Sequence, residues 1–432
     1  MSLADRYRRS IDLTARTRSV TPGGAQTASK RPDRFPEGAF PAYLMSGGGA
    51  RVRDVDGHEY VDWICGLGAV PLGYQDAGVE DAIINAIQDG LYSSSLPTER
   101  EEQIAARLVD IIPCAQDQGQ VRFVKTGSEA CAGAVRIARR ATGRDLVIVV
   151  GYHGYFDWVQ VTSDPHPGIP EAYAGRRDSQ GTWHPSIIRA HYNDAQFIED
   201  LMRVYQVAAV MLEPTLLEPP QTGYLQDVVD LCHDNGAVSI FDEMVTGFRW
   251  ARAGGQEYFG VTPDMAVFGK GLANGMPLAC IVGPERFMRY ADVISGTFGG
   301  ECLSLAAAGA VLDAYEPVNH HSTQHNPTGP CADQWEFGVR FKEMCGDLKI
   351  PVTGYPVHPK ITYTGREMAI FLQETARRGL LIHPAGFNVS AALTEDDLRV
   401  TFEALKGAKE ALDAGVPLEG NVPAESLFKR TT

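Results

Sequence analysis

An acid and a lysine each follow a short apolar segment in the middle of the chain. Asp242 comes directly after residues 238–241, and Lys270 comes shortly after residues 265–268. Short apolar runs bounded by turn residues are typical of buried parallel strands, and open α/β sheets place their chemistry at the carboxyl ends of such strands. A carboxylate can pair with a protonated ring nitrogen, and an amine can form a Schiff base, which together are what pyridoxal phosphate (PLP) chemistry requires. Taken alone, Asp242 and Lys270 could equally be two ordinary polar residues at the ends of two strands.

A third candidate lies where a predicted strand, 121–124, leads into a predicted helix. Gly127 lets the backbone approach a ligand closely, and the hydroxyl groups of Thr126 and Ser128 add hydrogen-bond donors. The free N–H groups and the dipole of a helix N-terminus attract an anion, so a phosphate would fit there. The alternative is an ordinary helix N-cap in which a hydroxyl group satisfies the first turn.

Two further strand ends carry an aromatic residue and an acid. Tyr152 follows the predicted strand 146–150, and Glu213 follows 208–212. A flat ring at such a position can stack on a flat cofactor. Together with the helix start, Asp242 and Lys270, these residues make a series of features at successive strand ends, which favours one shared site over unrelated explanations for each.

Composition limits the classes of protein to which the chain can belong. The 432 residues include 44% hydrophobic and 22% charged residues and carry a formal net charge of −15. This length can form two or three lobes and bury a large core. The negative charge disfavours binding to nucleic acid, and no apolar run is long enough to span a bilayer, so we expect neither a nucleic-acid nor a membrane partner. The N-terminus has no apolar segment typical of a secretory signal, so we expect a cytoplasmic protein.

The cysteines and histidines do not predict a metal site. The eight cysteines are scattered singly, without the paired spacing of a zinc site or a disulfide framework, and we expect reduced thiols. His320, His321 and His325 cluster in a segment rich in Pro, Asn and Ser, but no acidic or cysteine ligand accompanies them. We therefore assign no metal.

The order of predicted elements indicates an α/β protein. Strand and helix patterns alternate from residue 121 to 268, which predicts a mostly parallel sheet covered by helices. Before them lie a charged helical lead and a predicted hairpin over 51–63, and after residue 331 follows a smaller α+β lobe. We predict an N-terminal arm and small-domain segment over 1–75, a large domain over 76–316 and a C-terminal small domain over 317–432.

The ordered motifs resemble those of class III aminotransferases, which are PLP enzymes of fold type I. The likeness is greatest to the glutamate-1-semialdehyde 2,1-aminomutase branch, and it extends from Thr21-Pro22-Gly23-Gly24 to Leu393-Thr394-Glu395-Asp396. The motifs that carry it are Thr126-Gly127-Ser128-Glu129-Ala130, Tyr152-His153-Gly154, Glu213-Pro214, Phe241-Asp242-Glu243, Thr246-Gly247-Phe248-Arg249 and Gly269-Lys270-Gly271. The resemblance implies a large domain with a sheet of the seven-stranded type between helices and a smaller α+β domain built from both ends of the chain.

The resemblance also implies a role for each cofactor-site residue. Lys270 would bind PLP as a Schiff base and then act as the catalytic base, while Asp242 would keep the ring nitrogen protonated. Gly127 and Ser128 would bind the phosphate. Tyr152 would contact one face of the ring and Met244 the other, and Glu213 would lie at the side of the ring hydroxyl. Thr297 matches a residue that the family donates to the phosphate of the neighbouring subunit, which implies a homodimer.

Departures from the aminomutase branch are concentrated at the substrate side. Thr27 and Lys30 stand where the branch has a serine and an arginine for the substrate carboxylate, and a lysine cannot offer the bidentate fork of an arginine. Leu67 replaces a tryptophan, and Asn388 replaces a glutamate. These changes argue against the aminomutase substrate itself.

The segment 387–390 also lacks the arginine with which many class III aminotransferases bind the carboxylate of an amino acid. Arg249, Lys30 and Arg31 are our candidates to replace it. The loop Thr297-Phe298-Gly299-Gly300-Glu301 resembles, more loosely, branches that aminate sugars or specialised metabolites.

The implied function is transfer of an amino group from an amino donor to an aldehyde or ketone of a small metabolite. Two alternatives stay open, a glutamate-1-semialdehyde-type aminomutase and an epimerase or decarboxylase on the same scaffold. A protein of this fold that has lost its cofactor is disfavoured, because Lys270, Asp242, Gly127 and Ser128 are all present. The identity of the substrates stays open, since few polar contacts decide it.

Overall fold

The computed structural model describes residues 2–116, 118–161, 169–316 and 329–424. These residues form two compact units, one made of the chain up to Asp76 together with the chain from Ala332 onward, and the other of Ala77–Cys331. The predicted boundary at residue 317 and the histidines at 320, 321 and 325 lie outside the described residues. Within the described part of the chain, no helix combines the length and the apolar character that crossing a membrane requires.

Fifteen strands occur in the described residues. In chain order they are β1 (Leu44–Gly48), β2 (Arg51–Asp54), β3 (Glu59–Asp62), β4 (Gly119–Val124), β5 (Leu146–Val150), β6 (Gly175–Arg177), β7 (Trp183–Pro185), β8 (Ile187–Arg189), β9 (Val207–Leu212), β10 (Val238–Asp242), β11 (Met265–Phe268), β12 (Ala279–Pro284), β13 (Val352–Tyr355), β14 (His358–Ile361) and β15 (Leu380–Leu381).

The helices are likewise numbered in chain order. They are α1 (Leu3–Arg6), α2 (Arg8–Arg18), α3 (Cys65–Gly68), α4 (Ala77–Gln88), α5 (Glu99–Ile111), α6 (Gly127–Thr142), α7 (Asp157–Gln160), α8 (Ala195–Val204), α9 (Tyr224–Asp234), α10 (Gly255–Phe259), α11 (Glu285–Met288), α12 (Cys302–Ala314), α13 (Pro330–Asp347), α14 (Gly365–Arg377) and α15 (Glu395–Asp413). Of these, α3 is a short turn with left-handed residues rather than a regular helix.

The larger unit is built on a seven-stranded sheet with the order β4-β12-β11-β10-β9-β5-β8. Strands β11, β10, β9, β5 and β8 pair in parallel, and β12 pairs antiparallel with both of its neighbours, β11 and β4. The central strands are buried along their whole length, as strands covered on both faces must be, and α6 packs its apolar residues against them. The predicted mostly parallel sheet is therefore confirmed.

The smaller unit joins the two ends of the chain around one core. Strand β15 adds to the antiparallel β1-β2-β3 sheet, and the indole ring of Trp63 packs against Phe341, with ring centroids 4.5 Å apart. The indole N–H of Trp63 donates to the hydroxyl group of Thr401 at 2.9 Å, so the polar atom of this fully buried side chain has a hydrogen-bond partner. The predicted α+β character of this unit is confirmed.

Two strands of the large sheet were absent from the sequence-based prediction. Strand β8 has only three residues, too few for a period to be recognised. Strand β12 ends in Gly283-Pro284 and pairs antiparallel, so it does not follow the alternation of strands and helices that identified the others. In both cases tertiary pairing outweighs a weak local pattern.

Two glycines of α13 provide a matched test of packing against helix propensity. A Cβ atom on Gly338 would lie 2.1 Å from the carbonyl oxygen of Pro356, whereas one on Gly346 would meet nothing within 4 Å. We expect Gly338→Ala to destabilise the protein by about 1–3 kcal/mol, because backbone must move. Gly346→Ala should stabilise it by about 0.5–1 kcal/mol through helix propensity. Thermal denaturation of both variants measures this, and equal midpoints would contradict the close packing at Gly338.

Candidate active site

The topology brings the predicted site residues of the large unit to one edge of its sheet. Strands β11, β10, β9 and β5 are consecutive neighbours and run in parallel, so their carboxyl ends lie side by side. Lys270, Asp242, Glu213 and Tyr152 each follow or end one of these strands. The site is thus assembled by strand order, from residues more than a hundred positions apart in the chain.

Asp242 is almost completely buried and accepts several hydrogen bonds. The residue is 3% exposed, and its Oδ1 accepts from the backbone N–H of Met244 at 3.1 Å. Its Oδ2 lies 2.7 Å from Nδ1 of His153 and accepts from the thiol of Cys131 at 3.4 Å. Such donors compensate a carboxylate for the loss of water.

His153 and Cys131 were not among the residues that we predicted for the site. The available signals were the position of His153 beside Tyr152 in the motif after β5, and the position of Cys131 one turn into α6. Neither signal identifies a partner, because the contact with Asp242 depends on how β5, β10 and α6 meet.

Cys131, His153 and Asp242 also form a group whose ligand atoms lie within 4.8 Å of one another, close enough to hold a metal ion. A metal would require a thiolate, however. Burial and the nearby charge of Asp242 raise the pKa of the Cys131 thiol well above its ordinary value. The contacts are those of a hydrogen-bonded cluster with a protonated thiol.

The N-terminus of α6 presents its first turn at this edge. Thr126 caps the helix, because its hydroxyl group accepts from the N–H of Glu129, whose carboxylate in turn accepts from the N–H of Thr126. The N–H groups of Gly127 and Ser128 belong to the first turn, in which no intrahelical acceptor is available. The hydroxyl group of Ser128 accepts from the N–H of Tyr155 at 3.3 Å, which ties the helix start to the loop after β5.

Met244 packs between this helix start and the residue before Lys270. A Cβ atom on Gly127 would lie 2.9 Å from Sδ of Met244, and one on Gly269 would lie 2.7 Å from the same sulfur atom. A side chain at either position would therefore require the methionine to move. The apolar side chain links the ends of β10 and β11 to α6.

Lys270 occupies an unusual backbone conformation. Its φ angle is 45°, in the left-handed region that residues other than glycine rarely adopt. Its charge lowers the pKa of the Cys131 thiol, so the two side chains lie within electrostatic reach of each other. Strain of this kind is found at functional sites, where the surrounding structure holds it in place.

Glu213 supports the loop that carries Tyr152. Its carboxylate accepts from the N–H of Tyr152 at 2.9 Å, and it lies against Gly151, whose φ angle of 105° favours glycine. A Cβ atom on Gly151 would be 2.7 Å from the same carboxylate oxygen. Glu213 thus positions the half-buried Tyr152 through its backbone.

Glu243, next to Asp242 in the chain, is a second buried acid that the sequence analysis did not single out. Its carboxylate accepts from the N–H groups of Gly255 at 2.6 Å and Gln256 at 2.9 Å, and from the hydroxyl group of Thr246. These bonds close the segment 243–256 on itself directly after β10. Glu243 therefore fixes the backbone that leaves Asp242.

Thr297 lies in the loop that precedes α12. It is exposed in the loop 295–299, which lines a cavity of about 770 Å³ together with Lys125, Glu129, Phe156 and Trp158. The neighbouring Phe298 is 59% exposed.

The predicted substrate residues occupy contrasting environments. Thr27 and Lys30 are exposed, and Leu67 is half-buried with a φ angle of 61°. Asn388 is buried, and its side-chain oxygen lies 3.1 Å from Nδ1 of His358. Arg249 is fully buried and donates to the carbonyl oxygen of Val245 at 2.6 Å, a contact that favours a structural role over recognition of a substrate carboxylate.

Comparison with known proteins identifies related sequences over nearly the whole chain. The family model described as Aminotransferase class-III matches residues 36–326. A 3-aminobutyryl-CoA aminotransferase of Cloacimonas acidaminovorans is 30% identical over 420 residues, which cover 92% of this chain and 96% of the relative. A glutamate-1-semialdehyde 2,1-aminomutase of Ruminiclostridium cellulolyticum is 30% identical over 444 residues, which cover 94% of this chain and 98% of the relative.

A similar solved structure is the FumI protein of Sphingopyxis sp. MTA144 in its PLP internal aldimine form. It is 25% identical, covers 94% of this chain and 97% of its own, and superposes with a TM-score of 0.82.

Glu243 predicts a pH dependence of stability. Burial raises its pKa from the ordinary 4.5 to about 7, although its hydrogen-bond donors lower it. Between these values the folded protein binds more protons than the unfolded chain, so its stability falls as the pH rises through this window, by about 3 kcal/mol. We expect Glu243→Gln to remove this slope.

The measurement is the unfolding midpoint between pH 4.5 and 8. Glu257→Gln is the control, since Glu257 accepts from the N–H of Ala253 in the same segment. If the stability of Glu243→Gln still falls with rising pH over this range, another group causes the pH dependence.

Proposed function

This chain belongs to the class III aminotransferase family, and we propose that it transfers an amino group from an amino donor to an aldehyde or ketone of a small metabolite with PLP as cofactor. The observation that carries the proposal is the meeting of Asp242, Lys270 and the N-terminus of α6 at one sheet edge. Each residue type there suits one part of the cofactor.

The residues present fit PLP in their chemistry. Glycine at 127 lets Met244 pack against the first turn of α6, and an anion is favoured by the N–H groups and the dipole of this helix. Asp242 is a buried carboxylate that can pair with a protonated ring nitrogen, and Met244 and Tyr152 offer an apolar and an aromatic surface. When bound, PLP supplies a carbonyl carbon for the amine and a ring that withdraws electrons from the substrate carbon.

Lys270 is the residue to which we assign the proton transfer. Its Nζ attacks a carbonyl carbon or accepts a proton from a substrate Cα only when it is neutral. The backbone at Lys270 is left-handed, a strained conformation of the kind found at functional sites.

The roles of the remaining residues follow from what they contact. Glu213 holds the backbone of Tyr152, and we assign it to the hydroxyl side of the ring. Of the predicted substrate residues, the exposed Thr27 and Lys30 are accessible to an anionic group, and Leu67 presents an apolar side chain. Arg249 and Asn388 already have internal hydrogen-bond partners, so we give them supporting roles.

An intramolecular aminomutase is the second candidate, because one of the relatives with 30% identity is a glutamate-1-semialdehyde 2,1-aminomutase. The replacements at Thr27, Lys30, Leu67 and Asn388 count against that substrate. An aminotransferase consumes an amino donor and converts a separate carbonyl compound, whereas a mutase converts a single compound. The 3-aminobutyryl-CoA aminotransferase relative suggests β-amino thioesters for the panel of amino donors.

Lys270→Ala should abolish transfer and the visible absorption of a lysine-bound cofactor. The control is Lys349→Ala, because Lys349 is another lysine with a left-handed backbone, at φ 55°, and lies far along the chain in the other unit. We expect at least about a thousandfold loss of turnover for Lys270→Ala, as for removal of a covalent nucleophile, and full activity for Lys349→Ala. Assays use a panel of amines and amino acids with PLP added. Unchanged absorption in Lys270→Ala would overturn the assignment.

We further propose a homodimer in which Thr297 reaches the phosphate of the neighbouring subunit. The support is the exposed apolar surface of the large unit, where Phe298 is 59%, Tyr92 51% and Leu96 77% exposed. Patches of exposed aromatic and aliphatic side chains are typical of interfaces.

Hybrid dimers of Lys270→Ala with Thr297→Ala distinguish a contact across the interface from one within a subunit. If Thr297 acts across the interface, one site of the hybrid combines an intact Lys270 with an intact Thr297, and it regains about half of the wild-type turnover. If Thr297 acts within its own subunit, the hybrid is no better than the Thr297→Ala dimer. Coexpression with two purification tags isolates the hybrid, and a monomer by sedimentation would contradict the proposal.

A further inference from the structure

One peptide group in the loop after β5 is held from both sides by side chains of the neighbouring strands. The carbonyl oxygen of Gly151 accepts from Nη1 of Arg189 at 2.6 Å, and the N–H of Tyr152 donates to Oε1 of Glu213 at 2.9 Å. Both groups belong to the same peptide bond, whose C=O and N–H point in opposite directions in the trans form. Arg189 and Glu213 therefore hold the two ends of a single peptide plane.

The strand order places these two partners on opposite sides of the peptide. Strand β5 lies between β9 and β8 and pairs in parallel with both. Arg189 is the last residue of β8, and Glu213 is the first residue after β9. Backbone pairing reaches Val150, whose carbonyl oxygen accepts from the N–H of Glu213 at 3.2 Å. At the next peptide, two side chains continue the ladder by one step.

Gly151 makes this support necessary. Its φ angle is 105°, and a Cβ atom there would lie 2.7 Å from Oε1 of Glu213, so both the backbone conformation and the space favour glycine. Glycine also permits more backbone conformations than any other residue, so it does not itself fix the orientation of the peptide that follows it. A charged donor at the carbonyl oxygen and an acceptor at the N–H favour one orientation, because a rotated peptide would lose both hydrogen bonds.

We propose that Arg189 is a positioning residue for Tyr152, because its guanidinium group fixes the peptide from which the aromatic residue extends. The inference deepens the proposed function and rests on it, since that function assigns Tyr152 to one face of the cofactor ring. Partial burial lowers the pKa of Arg189 from its ordinary value, and withdrawal from water strengthens the hydrogen bond that the group makes. Arginine stays charged in proteins, and a charged donor makes a stronger hydrogen bond than a neutral one.

NMR spectroscopy of the full-length chain without PLP tests the contact itself. Labelling with carbonyl-¹³C glycine and ¹⁵N tyrosine restricts the spectrum to Gly–Tyr peptides, and the signal of the 151–152 peptide is the one that Tyr152→Phe removes. We expect Arg189→Met to shift or broaden this signal, because the carbonyl oxygen loses its charged donor. A signal that keeps its position and width in Arg189→Met would overturn the inference.

Arg144→Met is the matched control. Arg144 also donates to backbone carbonyl oxygens, those of Val207 at 2.9 Å and Asn235 at 2.7 Å, but these lie at the amino end of β9 and just before β10. Its loss removes the same kind of hydrogen bond from the opposite edge of the sheet. We expect the signal of the 151–152 peptide to stay in place.

Affinity for PLP shows whether Arg189 acts through Tyr152. We expect Arg189→Met to raise the dissociation constant at least about tenfold in the wild-type background, and to change it less than about twofold once Tyr152 has been replaced by alanine. A general loss of stability would weaken binding equally in both backgrounds. Equal effects in the two backgrounds, or no effect in either, would overturn the inference. If Arg189→Met does not fold, Arg189→Gln takes its place in both experiments, with the same expected results.

Failure of the proposed function has a different signature. If the wild-type chain does not bind PLP, the proposed function is contradicted. The NMR signal of the chain without PLP still decides whether Arg189 holds the 151–152 peptide, so the two failures are distinguishable.

Discussion

A carboxylate in a protein interior requires compensation, and the arrangement around Asp242 is the constraint on which the rest of the site depends. The residue is 3% exposed, so bulk water does not supply the missing hydrogen bonds. The compensating groups come from three separate elements, which are the segment after β10, the loop after β5 and the first turns of α6. A displacement of any one of them would leave a buried charge with fewer donors. The requirement therefore couples the positions of all three elements.

The same coupling extends to the residues that have no charge. Met244 fills the space between Gly127 and Gly269, so neither glycine can gain a side chain without moving the methionine. Glu243 closes the segment after β10 through the backbone N–H groups of Gly255 and Gln256 and the hydroxyl group of Thr246. Asp242 is the last residue of β10 and Glu243 the first residue after it, so two buried acids with different partners are adjacent in the chain.

Sequence reasoning was most successful where a local pattern and the topology agree. Asp242 and Lys270 follow buried apolar strands, and the rule that parallel strands end at one edge is enough to bring them together. The same rule did not reveal His153 or Cys131, since their partner is known only when the loop after β5 and helix α6 have been placed against β10. Strand β12 was absent from the prediction for a related reason, because its place between β4 and β11 is set by antiparallel pairing and not by its own short pattern. Local sequence thus predicts which residues reach the edge, but it does not predict their contacts there.

The substrate residues show a further limit, since the type of a residue does not tell whether its polar atoms are available. Asn388 stands at a position where a related branch has a glutamate, and a carboxamide could bind a substrate by type alone. In the structure its oxygen lies 3.1 Å from the imidazole of His358, and its backbone N–H donates to the carbonyl oxygen of Trp63. Arg249 is likewise fully enclosed with a backbone carbonyl as partner. Because removing a buried polar group from its partner costs free energy, these hydrogen bonds hold both side chains in the protein interior. The place of a residue in a motif therefore does not encode whether its polar atoms are available.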